Sequence, residues 1–376
     1  MLRRMSFPDT PMLYQQRMLN LGPYTLSVKN PPVFLAEIGG FFGQDIGLAE
    51  NMIRRVIEVG REVPHQPMIL KTEILHDVDI CLPGGTMETY ASKDGRVQRE
   101  NYRHLIERKV LPLAHYAHLL AMCRSAEMPF LVSVYDLAGA DFAVREGAVA
   151  LKIASPNLVH VPLLRHCGGM GIPLVLDTGR ATIAEVHRAL EVVRQAGCAD
   201  IVLEHSPDGH PALPKAHNLR ILQTYLQAFG LPVGLSDHHV GLEMLYMSIA
   251  LGAVVLEKGV HVAPDDLDID ISHSMDLGHL KSVLESVHQC WQALGSTARD
   301  LNTPIEGVLG TSQRQCLVAR SDLSPGQPID LETVRFAFPR QGVGVEHWDL
   351  VQGWKLRLAV PSGQPIQWCD IEPAAP

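Results

Sequence analysis

Eight short apolar runs recur along the chain, and a segment with the apolar spacing of a helix follows each one. Runs that are apolar almost without interruption are typical of parallel strands buried on both faces of a sheet. The runs are 33–36, 68–70, 130–132, 148–151, 173–176, 201–203, 232–235 and 253–256. Eight strand–helix units in succession predict a closed (β/α)8 barrel. A doubly wound open sheet is the alternative, which the missing GxGxxG motif after the first run disfavours.

The segments between the runs carry helix signals. Thr182 and Glu185 have the spacing of a capping box, in which each side chain accepts a hydrogen bond from the backbone of the other residue. Apolar residues then recur at every third or fourth position as far as Val193. The same spacing recurs over 219–229 and 277–291, so helices are predicted there as well.

The pattern changes after Gly295. The next residues are rich in Ser, Thr, Gly and Pro, and short alternating segments with turn signals follow them. We therefore predict an α/β barrel domain over 31–295, a linker over 296–312 and a small β-rich domain over 313–376. Residues 1–30 form an N-terminal extension to which the sequence assigns no element.

Composition excludes several classes of protein. The chain has 376 residues and a net charge of −9, and it lacks the basic stripe of a nucleic-acid-binding protein. Its seven cysteines are scattered without CxxC spacing, so neither a zinc ribbon nor a disulfide framework is indicated. Neither a signal-peptide pattern nor an apolar stretch of about 18 residues is present. These features favour a cytoplasmic enzyme with small-molecule substrates.

Polar residues end all eight runs, and in a barrel the functional groups lie at the C-terminal ends of the strands. Two lysines and several hydroxyls at one barrel mouth suit a ligand with a phosphate and a carboxylate. Histidines on the last two strands suit a divalent metal ion. Each residue alone also fits an ordinary structural role, so the prediction rests on their convergence. The strand-end residues are Glu37, Lys71, Glu73, Ser133, Tyr135, Asp136, Lys152, Ser155, Asp177, Thr178, Glu204, His205, Ser206, Ser236, Asp237, His238, His239, Glu257, Lys258 and His261.

The order of several motifs resembles the sialic acid synthase family, which also makes legionaminic and pseudaminic acids. The resemblance covers most of the chain, and residues 315–333 resemble the start of an antifreeze-like domain. The motifs are 34–39 (FLAEIG), 152–155 (KIAS), 177–185, 233–241 (VGLSDHHVG), 250–258 (ALGAVVLEK) and 270–274.

The resemblance implies an enzyme that condenses phosphoenolpyruvate with an aldose to give a 2-keto-3-deoxy sugar acid and phosphate. It also implies a divalent ion, Mn²⁺ or Mg²⁺, and a homodimer in which the antifreeze-like domain reaches over the partner barrel. The implied catalytic residues are Glu37, Lys71 and Lys152. The implied substrate-binding residues are Ser133, Ser155, Thr178, Ser236, Asp270, Glu73, Asn157 and Arg340. The implied metal ligands are His238 and His261.

Several positions depart from the family pattern, mostly in the half that would bind the sugar. The family has Asn-His-Asn where this chain has Phe41-Phe42-Gly43, and Gln at Glu73. It has Glu at Asn157, and Ser and Met at Asp177 and Arg180, where we expect Arg180 to offset the added carboxylate. The arginine of the antifreeze-like domain is moved two positions to Arg340.

The departure on the last strand concerns the metal. The second metal histidine of the family falls at Gly259, and His261 lies two residues on. Residues two apart in a strand face the same side, so we expect His261 to replace the missing ligand and Gly259 to leave room for its ring. The alternative is a degraded metal site.

Two other functions remain open from the sequence. An aldolase or lyase would use the same anion site for different carbon–carbon chemistry, which Asp177 and Glu73 favour slightly. A non-catalytic barrel that has lost the metal site would explain Gly259 and the missing Asn-His-Asn segment.

Overall fold

The computed structural model describes residues 19–262, 268–296 and 314–374. These residues fall into two compact units, one up to Gly295 and one from Ser296 onward. The predicted linker, apart from Ser296, and the first 18 residues of the predicted extension lie outside the described residues.

The first unit consists of strands and helices in alternation, as predicted. Its strands are β1 (Leu19–Leu21), β2 (Tyr24–Leu26), β3 (Val33–Gly39), β4 (Met68–Ile74), β5 (Met87–Ala91), β6 (Val97–Asn101), β7 (Phe130–Val134), β8 (Ala150–Ile153), β9 (Leu174–Asp177), β10 (Ile201–His205), β11 (Val233–Ser236), β12 (Ala253–His261) and β13 (Met275–Asp276). Its helices are α1 (Ile46–Glu62), α2 (Tyr102–Glu107), α3 (Leu113–Ser125), α4 (Leu137–Arg145), α5 (Val161–Gly168), α6 (Ile183–Gln195), α7 (Ile221–Phe229), α8 (Glu243–Ala250) and α9 (Leu280–Leu294).

Eight parallel strands of the described chain close into a barrel. The strand order is β3, β4, β7, β8, β9, β10, β11 and β12, and β12 pairs with β3 to complete the ring. All eight predicted runs lie in these strands or directly before them. The closure confirms the barrel prediction and rules out the open sheet.

The helices form the outer layer of the barrel, and their capping residues and apolar faces explain where they begin and how they pack. Helix α6 begins at the predicted capping box, where both reciprocal hydrogen bonds between Thr182 and Glu185 are present. One face of this helix, with Val186, Leu190 and Val193, is buried in the core between the helices and the barrel.

The barrel interior has a separate apolar core at its N-terminal end. The first halves of seven of the eight barrel strands, all except β11, contribute to it, with residues such as Leu35, Ile69 and Val175. Leu21 and Leu26 of the hairpin β1–β2 belong to the same cluster, so this hairpin covers the N-terminal end of the barrel.

A second hairpin, β5–β6, and helix α2 follow β4 and pack on a small apolar cluster of their own. That cluster contains Tyr90, Leu105 and Ile106, and Ile269 packs against it. Lys93 in the turn of this hairpin donates hydrogen bonds to the carbonyl groups of Ser272 and Ser274. The hairpin is therefore attached to the segment that follows β12.

The second unit is the small β-rich domain that the sequence predicts. Its strands are β14 (Cys316–Ala319), β15 (Val334–Ala337), β16 (Lys355–Leu356) and β17 (Ile371–Glu372), with the short helix α10 (Trp348–Val351) between them. The strands pair antiparallel, β14 with β15 and β16 with β17. Its own core includes Leu317, Ile329 and Ile366, which are completely buried.

A helix that spans a membrane needs about 20 largely apolar residues. None of the helices within the described ranges meets that requirement.

The hairpin β1–β2 gives the first prediction. Leu21 is completely buried, so Leu21→Ala should lower the free energy of unfolding of the barrel by about 2–5 kcal/mol. Leu82, which is 88% exposed, provides the control, and Leu82→Ala should change it by no more than about 0.5 kcal/mol. Chemical denaturation followed by circular dichroism measures both. Equal stability of the two variants would show that the hairpin does not cover the barrel in solution.

Candidate functional site

A layer of polar side chains lies directly above the apolar core of the barrel interior. On seven of the eight strands it follows the last interior apolar residue by two positions, and on β11 Ser236 follows Gly234, which keeps the layer on one face. The strand register aligns its members side by side, with Glu37 opposite Lys71 and Ser236 opposite Glu257. The polar layer consists of Glu37, Lys71, Ser133, Lys152, Asp177, Glu204, Ser236 and Glu257.

Lys152 is the centre of this polar layer. Its ammonium nitrogen lies 2.7 Å from carboxylate oxygens of both Glu204 and Glu257, and 3.1 Å from Asp177. The lysine is 3% exposed, and its three partners raise its pKa well above the ordinary value although burial opposes them. Lys152 is therefore a fixed cation, because the carboxylate of Glu257 would otherwise be a buried charge with one cation fewer beside it.

Lys71 joins the other side of the layer. It forms a short ion pair with Glu37, and its nitrogen lies 3.3 Å from Glu257. Burial and the neighbouring Glu257 raise the pKa of Glu37 well above the ordinary value and outweigh the effect of Lys71. Burial would also raise the pKa of Glu257, but the two lysines outweigh it and hold that pKa below the ordinary range. The layer thus contains one glutamate that favours a proton beside one that stays ionised.

A second charged group lies above the polar layer. Tyr135 donates a hydrogen bond of 2.7 Å to Glu73, and the ammonium nitrogen of Lys109 lies 3.6 Å from the same carboxylate. Lys109 also forms a short ion pair with Asp268. Burial lowers the pKa of Lys109, but these two carboxylates outweigh it and raise the pKa. The carboxylate at Glu73, where the family has an amide, is therefore paired with a cation.

The polar layer forms the floor of a cavity of about 360 Å³ at the C-terminal end of the barrel. A volume of this order accommodates small molecules. Nine of the predicted site residues line it together, and the apolar side chains of Phe41, Tyr102, Leu105 and Ile106 form part of the wall. The nine are Glu37, Lys71, Glu73, Ser133, Lys152, Ser155, Ser236, His238 and Asp270.

Three imidazole rings meet at one wall of this cavity. His238 follows β11, whereas His210 and His273 lie in the loops after β10 and β12. One nitrogen of each lies within 4.8 Å of the other two, and this is the one such group found in the described residues. Nδ1 of His238 and Nδ1 of His273 are buried without a hydrogen-bond partner there. Buried unpaired nitrogens of this kind fit a divalent metal ion.

Asp270 lies against the same histidines. A carboxylate oxygen of Asp270 is 2.8 Å from Nδ1 of His210 and 3.8 Å from Nε2 of His273. Burial, followed by the nearby His210, lowers the pKa of His238 to about 4. Burial and His238 lower the pKa of His273 well below its ordinary value. Two of the three rings are therefore neutral near pH 7, which is the form that binds metals.

Hydrogen bonds from Lys258 of β12 fix the loop that carries His238. Lys258 is buried and donates hydrogen bonds to the carboxylate of Asp237 at 2.8 Å and to the carbonyl of Gly241 at 3.0 Å. Asp237 also accepts from the backbone N–H of His239. The two ends of the loop are thus fixed to the last barrel strand, which limits where the ring of His238 can lie.

His261, the second metal ligand predicted from sequence, lies away from these rings. It is at the end of β12, beyond the point where that strand pairs with β3, and Nδ1 is 2.9 Å from the hydroxyl of Ser274. The space beside Gly259 is not open for its ring, because a Cβ atom there would lie 3.1 Å from both Phe41 and Ser274. The structure therefore places two other histidines beside His238.

Three further predicted residues do not line the cavity. The hydroxyl of Thr178 lies 3.2 Å from the carbonyl oxygen of Glu204, and Asn157 ends a short 3-10 helix after β8. Arg340 belongs to the second unit, where it pairs with Glu346 at 2.6 Å. Arg180, which was expected to offset Asp177, instead pairs with Asp208 at 2.5 Å.

Sequence reasoning did not assign a role to several residues of the site. Glu204 and Glu257 end barrel strands, so their position gave a usable signal. His210, His273 and Lys109 lie in loops without a periodic pattern, and no sequence signal identified them.

Comparisons with known proteins agree with this architecture. The NeuB family profile matches residues 71–299, and the SAF domain profile matches residues 314–372. The chain belongs to the NeuB family. It is 27% identical to N,N'-diacetyllegionaminic acid synthase of Legionella pneumophila, covering 90% of this chain and 94% of that protein. It is 25% identical to N-acetylneuraminate-9-phosphate synthase of Mus musculus, covering 92% and 94%.

A solved structure shows the same fold. The N-acetylneuraminic acid synthetase of Leptospira borgpetersenii superposes with a TM-score of 0.65 at 21% identity, over 77% of this chain and 93% of that one. These named relatives of the chain are sugar-acid synthases, and the second unit matches a SAF, or antifreeze-like, domain as the sequence predicts.

The polar layer gives the second prediction. Burial and Glu257 raise the pKa of Glu204 to about 8, whereas an unfolded glutamate titrates near about 4.3. The folded state then keeps a proton that the unfolded state releases, so this group contributes stability that is lost as the pH rises through about 8. Its slope is at most about 1.4 kcal/mol per pH unit.

Glu204→Gln should remove this contribution. As the pH rises from about 5 to about 8, the free energy of unfolding of the variant should therefore fall less than that of the parent. Denaturation at each pH measures the difference, with the exposed Glu58→Gln as control. Parallel pH profiles of the parent and Glu204→Gln would contradict the prediction.

Proposed function

We propose that this protein condenses phosphoenolpyruvate with an aldose and releases inorganic phosphate and a 2-keto-3-deoxy sugar acid. The observation that carries the proposal is the floor of the cavity, where two fixed lysine cations and the hydroxyls of three serines converge. The lysines are Lys71 and Lys152, and the serines are Ser133, Ser155 and Ser236.

The floor can accept an anion because its carboxyl groups are not all ionised. The raised pKa values of Glu37 and Glu204 favour protons on both groups at neutral pH. Lys71 and Lys152 donate charge-assisted hydrogen bonds to phosphoenolpyruvate in this proposal, and the serine hydroxyls donate hydrogen bonds to its oxygens.

Glu37 is proposed to donate and accept the protons that the reaction transfers. In the proposed reaction the C3 carbon of phosphoenolpyruvate attacks the aldehyde carbon, water adds at C2, and the C2–O bond to phosphate breaks. A glutamic acid with a raised pKa, held by Lys71 beside the cavity, can donate a proton and take one back from the attacking water. The reaction needs both steps, because the aldehyde oxygen gains a proton and water loses one.

A divalent ion, Mn²⁺ or Mg²⁺, belongs to the proposal. His238 is a ligand in this proposal, and its ring lines the cavity with a neutral imidazole. The chemistry that such an ion supplies is Lewis acidity toward the aldehyde oxygen. Asp270, which lines the same wall, is proposed to contact the sugar.

The charge state of the lysines disfavours an aldolase or lyase that works through a covalent lysine intermediate. A lysine that forms an imine with its substrate needs a lowered pKa, so that it is a neutral amine. Lys71 and Lys152 have raised pKa values because carboxylates surround them. Both lysines therefore suit anion binding better than covalent catalysis.

Phosphate release is the direct test of the proposal. Wild-type protein with phosphoenolpyruvate, Mn²⁺ and a panel of aldoses should release phosphate with one class of aldose. Lys71→Met should lower kcat/KM for phosphoenolpyruvate by about 10²–10³-fold, because a charged contact to the substrate is lost. The exposed Lys29→Met serves as control and should behave as wild type. Binding of phosphoenolpyruvate without phosphate release from any aldose would count against the synthase.

We further propose a cytoplasmic homodimer, with the domain at 313–376 reaching over the partner barrel and Arg340 contacting the sugar. Support comes from the family membership and the SAF match. Arg340→Ala should then raise the KM for the aldose at least about tenfold and leave the KM for phosphoenolpyruvate unchanged. Arg335→Ala, an exposed arginine on β15 of the same unit, is the matched control. Light scattering that gives the mass of a single chain would refute the shared site.

A further inference from the structure

The three histidines at the cavity wall form a more complete ligand set than His238 alone. The rings of His238 and His273 are stacked with centroids 4.5 Å apart, and the ring of His210 is 4.8 Å from that of His238. His273 is buried, and His210 is the most exposed, with 36% of its side chain accessible. Two of the three have buried Nδ1 atoms without a partner among the described residues. Such atoms are costly unless something binds them.

The last barrel strand offers no ligand at this place. Gly259 pairs in register with Glu37, and its missing side chain leaves a space that Phe41 and Ser274 fill. Phe41 is 5% exposed and forms part of the cavity wall. A metal centre that includes His238 must therefore take its other ligands from the loops, and the loops after β10 and β12 supply His210 and His273.

We infer that His210, His238 and His273 form a three-nitrogen centre for a first-row transition-metal ion such as Co²⁺ or Zn²⁺. We also infer that this centre discriminates against Mg²⁺. The role of the ion in catalysis rests on the proposed function, but its binding does not. Imidazole nitrogens suit these ions, whereas Mg²⁺ prefers oxygen ligands and gives up its water reluctantly.

Asp270 completes the centre as its nearest anion. Its carboxylate lies 2.8 Å from Nδ1 of His210. The carboxylate is therefore close enough to orient the ring or to bind the ion directly. Asp270 thereby supplies the negative charge that three neutral imidazoles lack.

The centre must contract slightly when it binds an ion. Two nitrogens bound at about 2.1 Å to one ion are at most about 4.2 Å apart, and the three nitrogens here lie within 4.8 Å of one another. His210 is exposed and lies in a loop, so its ring can move toward the two more buried rings. All three rings line the cavity, so the remaining positions on the ion face the substrate.

Metal binding to the full-length protein tests the inference without any assay of activity. After chelation and dialysis, wild-type protein should bind about one equivalent of Zn²⁺ or Co²⁺ by calorimetry, with Mg²⁺ at least about 100-fold weaker. His210→Gln and His273→Gln should each weaken Zn²⁺ binding by about 100-fold or more. Bound Co²⁺ should show the visible absorption of a nitrogen-ligated site, and that spectrum should change in both variants.

The control variant is His261→Gln, because His261 is also a buried histidine and is the last residue of β12. It should bind metal as wild type does. Thermal melting without metal checks that the variants fold, and a variant that fails to fold is replaced by His→Asn at the same position. The inference is overturned if His261→Gln loses metal while His210→Gln and His273→Gln keep it, or if Mg²⁺ binds as tightly as Zn²⁺.

These outcomes are separable from those of the proposed function. Metal binding that depends on His210 and His273, without phosphate release from any aldose, would support the centre and contradict the synthase. Metal-dependent phosphate release that is unchanged in the His210 and His273 variants would support the synthase and contradict this ligand set.

Discussion

The ion cluster around Lys152 is the interaction on which the site depends. Lys152 and Glu257 are almost completely buried, so a charge placed there needs an opposite charge in contact. Lys152 contacts Glu204, Glu257 and Asp177 at once, and Lys71 contacts Glu37 and Glu257. Glu257 is thus the carboxylate that the two lysines share, and it links the groups of the layer to one another.

The site has two halves, and different parts of the fold hold their side chains in place. The proposed anion-binding half is built on strand ends, where the register of the strands fixes the position of each side chain. The proposed metal-binding half is built mostly on loops, and it is held by contacts such as Lys258 to Asp237 and Lys93 to the carbonyl of Ser272. Loops accept substitutions more readily than barrel strands do. Departures from the family pattern nevertheless lie on strands, at Glu73 and Gly259, as well as in loops, at Phe41.

The fold was predictable because the signal was repeated eight times. One apolar run cannot distinguish a strand from a buried helix, but eight in succession with helical spacers leave few architectures. The floor of the site was predictable for the same reason, since Lys71, Lys152 and Ser236 each end a run. The histidines of the loops were not predictable, because His210 and His273 are far apart in sequence and belong to no period. Only the closure of the barrel brings their loops together.

The prediction for His261 shows where periodicity stops being informative. The spacing of two residues does place His261 on the same side of the strand as Gly259. However, β12 pairs with β3 only as far as Gly259, and beyond that point it pairs with β13. The ring then meets Ser274 instead of the cavity. Phe41 and Gly259 are complementary in volume, since the ring of one occupies the space left by the other. Because Phe41 fills the strand position, a metal centre at this mouth depends on side chains from the loops, which makes its geometry sensitive to how those loops are held.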